Sequence, residues 1–152
     1  MSNMRADRDR RADDQERDLV KRARDNGCIS NRVDAEIDVE IFSEGHIQVI
    51  DCKQTDDSVF YVAKTDIEKG LDYTQRLRNW YAGVEVTFLV EMFFPKYKNK
   101  NKQLLEITEE NRGISIKVLK TKEGMLAVRA DKTHGKGVGT VEELRKELEK
   151  VD

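Results

Sequence analysis

The sequence predicts an α/β fold in which a mixed β-sheet is flanked by helices. Three observations carry this. Runs with an apolar stripe at helical spacing are interspersed with strand-like runs. Two of the strand-like runs are joined by a short turn and must lie antiparallel. A strand–helix–strand step then leads into an almost wholly apolar run, as a crossover into a central strand should. The chain has 152 residues, which suits one domain with a real core.

The elements follow in order. Residues 1–14 include "RADRDRRADD", a dense mixture of both charges. Such a run reads as a solvated helix start, a disordered segment, or an arm that touches phosphates through Arg8, Arg10 and Arg11. "DQERDLVKRARDNG" is a helix, with Leu19, Val20 and Ala23 as its stripe and Asn26-Gly27 as its stop. Glu16 lies three and four residues before Leu19 and Val20, so it shares their face. "AEIDVEIF" alternates, with Glu36, Asp38 and Glu40 opposite Ile37, Val39 and Ile41. "SEGH" is the turn. "IQVIDCK" places Ile47, Val49, Asp51 and Lys53 on one face and Gln48, Ile50 and Cys52 on the other. "SVFYVA" is a short strand. "KTDIEKGLDYTQRLRNWYAG" is a second helix, weakened by Gly70, on which Trp80 and Tyr81 read as core or boundary residues or as part of a dimer face. "VEVTFLVEMFF", ending at the single proline, is the central strand. "KYKNKNKQ" is a lysine-rich loop. "GISIKVLKTKEGMLAVRA" is a hairpin turning at Lys122-Glu123-Gly124. Residues 131–152 form a Gly-rich loop containing His134 and a terminal helix capped by Thr140 and Glu143.

Composition excludes several classes. Hydrophobic and charged residues each make up 38%, and the net charge is -2. Bulk charge therefore does not announce a nucleic-acid binder, and any such binding rests on local basic patches. Cys28 and Cys52 lie far apart, without zinc-site spacing. No apolar run is long enough to span a membrane. The charged start excludes a signal peptide, and a cytoplasmic location is expected.

Chemistry concentrates in "AEIDVEIFSEGHIQVIDCKQ". Asp51 and Lys53 share a face at the end of one strand. If Asp38 shares it, two carboxylates and an ammonium converge. Unpaired acids side by side repel, so the arrangement calls for a cation. A hard divalent ion held by carboxylates, a backbone carbonyl and water satisfies it. Lys53 then stands where it can orient or deprotonate a water or stabilise developing negative charge, as in metal-assisted phosphodiester hydrolysis. Glu36 is an alternative ligand to Asp38. The same residues also read as a solvated sheet face, with Lys53 as a salt-bridge partner.

The order of Glu16 in a first helix, Asp38, then Asp51-x-Lys53 resembles the PD-(D/E)xK nuclease superfamily. It is most similar to the archaeal Holliday-junction resolvases. "VFYVAKTDIEKGLDYTQRL" resembles that family's strand leading into a helix-opening lysine, here Lys64, and the resemblance runs from Glu16 to Phe94. It implies a restriction-endonuclease-like mixed sheet flanked by helices, with the hairpin and short helix following. The chain divides into a charged arm (1–14), a nuclease domain (15–130) and a Gly-rich loop with a C-terminal helix (131–152), and the arm and the third beyond Lys96 have no obvious counterpart in the family. The resemblance implies Mg²⁺, with Mn²⁺ as substitute, on Asp38, Asp51 and the carbonyl of Cys52. Lys53, Glu16 and Lys64 would be catalytic. Branched DNA would be cut by a homodimer, its backbone met by Arg10, Arg11, Arg76, Arg78, Lys96, Lys98 and Lys100. The chain departs from the pattern in having Ile37 where the family has proline, Asp51 where it usually has glutamate, and a near-neutral charge. A nicking, restriction-like or viral end-processing nuclease, or a non-catalytic module on the same fold, are the competing readings.

Overall fold

In the computed structural model, which describes residues 4–33 and 36–130 with side chains from Arg10 onward, one helix takes in the whole charged N-terminal run. This is α1 (Met4–Asp25). The boundary expected at residue 14 falls inside it. Gly27, at φ +85°, ends the helix. Cys28 N–H donates back to the Ala23 carbonyl at 3.0 Å, closing the last turn as the Asn-Gly pair predicts.

Two sheets follow. The first holds β1 (Ile29–Arg32), β2 (Val39–Ser43), β3 (His46–Gln54), β5 (Glu85–Phe93) and β6 (Lys102–Ile107), in the order β1-β2-β3-β5-β6. β3 and β5 are parallel and the other pairs antiparallel, so the sheet is mixed as expected. The second holds β4 (Val59–Val62), β7 (Ser115–Lys120) and β8 (Met125–Ala130), in the order β4-β7-β8. The "SVFYVA" strand and the C-terminal hairpin are thus one three-stranded unit. α2 (Lys64–Trp80) connects β4 to β5. The edge strands β1 and β6 were not expected. β1 is only Ile-Ser-Asn-Arg with one buried side chain, and β6 grows out of the lysine-rich loop. Neither has an apolar periodicity to reveal it.

The first sheet separates two cores. Leu19, Val20 and Ala23 of α1 pack on Val39, Ile41, Ile50 and Leu89. Ile67 and Leu71 of α2 pack on Ile47, Val49, Val86, Phe88 and Val90, with Val62, Ile116 and Val118 of the second sheet. A Cβ on Gly70 would lie 2.0 Å from the Phe88 ring. The glycine that weakens α2 is what lets it approach β5. The Gly-rich stretch, His134 and the terminal helix with its Thr140–Glu143 cap lie outside the described residues.

The alternation expected across "AEIDVEIF" breaks. Val39 and Ile41 face α1, but Ile37 joins the α2-side core. The reason is a bend over 36–38 before β2 begins. There Asp38 N–H still donates to the Ile50 carbonyl at 3.1 Å. Its side chain accepts the next bond, from Cys52 N–H at 2.7 Å, in place of a backbone carbonyl. Asp38 therefore leaves the sheet-face pattern of Glu36 and Glu40 and turns toward the end of β3.

Candidate active site

The charged residues of β3 meet this bend. Asp51 is buried on the α2-facing side of the strand, as its parity requires. Burial and the neighbouring Asp38 carboxyl push its pKa up to about 8, against the opposing pull of Lys53. Lys53 Nζ lies 3.3 Å from Asp51 and 2.9 Å from Asp66 in the first turn of α2. Burial alone would lower the Lys53 pKa, but Asp51 and Asp66 outweigh it and hold it above the usual lysine range. The group is therefore an ammonium, which favours charge stabilisation over proton abstraction.

Glu16 reaches the same place from α1. Burial and the nearby Asp38 charge raise its pKa, while Arg32 opposes them. Arg32 donates to Glu16 at 3.3 Å and also pairs with Asp13 at 2.5 Å. The expected quartet of Glu16, Asp38, Asp51 and Lys53 thus converges where the bend before β2, the end of β3 and both helices meet. Lys64 does open α2, but its ammonium stands 4.0 Å from Glu68 on its own helix. Glu36 is no substitute for Asp38, because it pairs with Arg76.

Three residues that sequence reasoning passed over complete the surroundings. Asp66 holds Lys53. Gln15, only 3% exposed, donates through Nε2 to Glu91 Oε1 at 3.1 Å and to the Lys53 carbonyl at 3.3 Å. Glu91, 2% exposed in the middle of β5, also accepts from Arg22 at 3.1 Å. The one sequence signal was a lone acid inside an apolar strand; its partners lie far along the chain and show no local pattern.

Among the described residues, no group of three or more His, Cys, Asp or Glu side chains is arranged to hold a metal ion. What is present is a pair of adjacent carboxylates, Asp38 and Asp51, in a largely buried setting. That pair fits a hard divalent ion, provided a backbone carbonyl and water complete the ligands. The Cys52 carbonyl, between Asp51 and Lys53, is the expected donor; its thiol belongs to the α1-side core, and burial raises the thiol pKa further.

The residues expected on DNA divide in two. Arg10, Lys96 and Lys98 are exposed. Arg11 pairs with Asp56 at 2.9 Å, Arg76 pairs with Glu36 over the Tyr73 ring, and Arg78 donates to the Val86 carbonyl at 2.7 Å. Lys100 donates to the Glu123 carbonyl at 3.1 Å. A basic surface not anticipated is a groove of ≈ 520 Å³ lined by Arg17, Val20, Lys21, Arg24, Asp25 and Arg32. Trp80 is 83% exposed, and so is neither core nor boundary; Tyr81 meets Phe42 edge-on.

A mixed sheet with an acid pair and an acid-x-Lys strand end, flanked by helices, defines a nuclease of the restriction-endonuclease-like class. The family model for the archaeal Holliday junction resolvase (Hjc) matches residues 7–132, and the chain belongs to that family. The match reaches beyond Phe94 through the second sheet, and back into the charged start of α1. The solved structure of the Archaeoglobus fulgidus Hjc, a Holliday junction resolvase from an archaeal hyperthermophile, has a similar fold, with a TM-score of 0.54 at 12% identity. The alignment covers 89% of this chain and 96% of that one. No curated protein shows significant similarity to the sequence. Among the described residues, no helix is long and apolar enough to cross a membrane.

Proposed function

We propose that this chain is a divalent-metal-dependent endonuclease that resolves four-way DNA junctions as a homodimer. The observation that supports it is the meeting of Asp38 and Asp51, side by side, with the Lys53 ammonium 3.3 Å from Asp51 in the interior of a fold of this family. A buried Asp51 beside the half-buried Asp38 is costly, and a structural role gives no return on that cost.

In this reading Asp38, Asp51 and the Cys52 carbonyl hold Mg²⁺, or Mn²⁺ in its place. The bound ion supplies charge neutralisation at the phosphate and a more acidic attacking water. The chain's residues do the rest. Lys53 offers a fixed ammonium where negative charge develops on the phosphate, an interaction that counts most in the transition state. Glu16, paired with Arg32, orients water from the α1 side. Lys64 has a less direct part, as a cation at the mouth of α2. The backbone of each duplex arm is met by Arg10, Lys96 and Lys98, and by the groove of Arg17, Lys21, Arg24 and Arg32. Arg11, Arg76, Arg78 and Lys100, like Arg10 and the groove residues Arg17, Lys21, Arg24 and Arg32, must first leave or share their protein partners to contribute. Trp80 and Tyr81 suit the second copy, because an exposed indole is the sort of anchor interfaces use. A two-fold pair of sites would cut symmetric strands of a junction.

The test is a cleavage assay on four-way junction, flap, single-stranded and linear duplex DNA, with Mg²⁺ and with Mn²⁺. Paired, symmetric nicks in the junction strands are expected, with little cutting of linear duplex. Equal cutting of all four substrates would point to a less selective nuclease. No cutting of any would leave a non-catalytic module.

A further inference from the structure

We propose that Asp66, on α2, is a positioning residue for Lys53, holding its ammonium in place independently of the metal ligands; this rests on the nuclease reading above. Lys53 has two carboxylate neighbours, and Asp66 at 2.9 Å is nearer than Asp51 at 3.3 Å. Asp51 is already shared with Asp38, and it would be a ligand of the divalent cation in the loaded enzyme. An ammonium held by Asp51 alone would then be repelled by that cation and free to swing on its four-carbon stem. Asp66 stands outside the ligand set and pairs with Lys53 at 2.9 Å.

Asp66 is itself well anchored. The next residue, Ile67, is 0% exposed in the α2-side core, and its N–H donates to the Ala63 carbonyl at 3.1 Å. Alanine at the N-cap has no side-chain oxygen for the helix end. A first-turn acid would ordinarily serve that end. Here the carboxylate instead reaches across to β3. The other end of Lys53 is held from the opposite layer, where Gln15 of α1 donates to its carbonyl at 3.3 Å. Lys53 is thus fixed at its backbone by α1 and at its ammonium by α2. Misplacing a reacting group by about 1 Å can cost on the order of 100-fold in rate.

The experiment compares Asp66→Asn and Asp66→Glu with wild type, using single-turnover cleavage of a four-way junction at saturating Mn²⁺ and DNA. Junction affinity is measured separately by fluorescence anisotropy in chelator. Asp66→Asn should lose about 100-fold in rate with affinity unchanged, and Asp66→Glu should recover part of the loss. In a Lys53→Ala background, Asp66→Asn should add nothing. A wild-type rate in Asp66→Asn overturns the proposal. So does an undiminished loss in the Lys53→Ala background, which would place Asp66 in helix stability or elsewhere. If the wild type cuts no DNA, the nuclease reading fails. The positioning claim is then decided by the ¹H–¹⁵N resonance of the Lys53 ammonium. A shift between wild type and Asp66→Asn supports it; an unchanged resonance overturns it.

Discussion

Along the β3–β5 ladder, the half from Ile47 to Ile50 and the half from Asp51 to Gln54 run in the same two strands, but only the second buries acids among its apolar side chains. The first pairs Ile47 with Val86, Val49 with Phe88 and Ile50 with Leu89. Each fully buried side chain of this kind contributes about 1.5–3 kcal/mol. In the second half, Asp51 is opposite Val90 and Cys52 is opposite Glu91. Asp51 is 7% exposed and Glu91 2%, comparable with the aliphatic positions. The difference lies in the partners. The ionisable groups of the second half are paired: Asp51 has the half-buried Lys53, Lys53 has Asp66, and Glu91 has Arg22 and Gln15. The first half spends nothing on specificity, whereas the second is held by pairs that hydrophobic residues would replace at little loss.

The sharpest way to break the contrast is Asp51→Asn, which should abolish metal-dependent cleavage. It should also change the pH dependence of stability in chelator. The folded-state pKa of Asp51 is raised to about 8, above its ordinary value of 3.8. The folded state therefore holds its proton more tightly, so the stability this group contributes is present below the ordinary carboxylate range. It is lost as pH rises toward and through about 8, by up to a few kcal/mol. Wild-type melting temperature should fall between about pH 5 and about pH 9, and Asp51→Asn should flatten that fall. Parallel pH profiles for the two proteins would mean that Asp51 is not a strained acid. Cleavage retained by the variant would remove it from the site.

How far this was legible in the sequence follows the same division. Period-two alternation put Asp51 and Lys53 on one face, and a bare apolar run identified β5. The stripe Leu19, Val20 and Ala23 marked the buried side of α1. All three signals are local. Asp38 defeated the pattern because its side chain replaces a backbone acceptor, which turns Ile37 and Val39 to opposite faces. Glu91, Gln15 and Asp66 were missed because their meaning depends on partners across the sheet. Trp80 was misplaced because a large aromatic ring is a weak indicator of burial at the end of a helix.

The Glu91 network offers a second, smaller test, and it predicts an asymmetry. Arg22→Leu leaves a carboxylate that is 2% exposed with Gln15 alone, and should cost about 2 kcal/mol, discounted because Arg22 itself is half in water. Glu91→Met removes the demanding partner instead, and Arg22 keeps Asp18 at 2.8 Å. That change should stay within about 1 kcal/mol. Urea unfolding of both variants checks this. Equal losses would mean that the network is held by packing and not by the buried charge.

The smallest expected effect belongs to Glu16, which stands on the border between the two regimes. It is neither fully buried nor free: Arg32 holds it at 3.3 Å, and the Asp38 charge works against its ionisation. Glu16→Gln keeps the shape and removes the charge. Arg32 retains Asp13, so the junction of α1 with β1 should hold, with stability within about 0.5 kcal/mol of wild type. Single-turnover cleavage should fall by about 10-fold, a modest loss for a water-orienting group that is not a direct ligand. The loss should not add to that of Asp38→Asn, because both residues act on the same ion and its water. The decisive comparison is the double variant against both single variants across a Mn²⁺ titration. Strictly additive losses would give Glu16 a separate role on the DNA. Wild-type cleavage by Glu16→Gln at every metal concentration would make it only the anchor for Arg32.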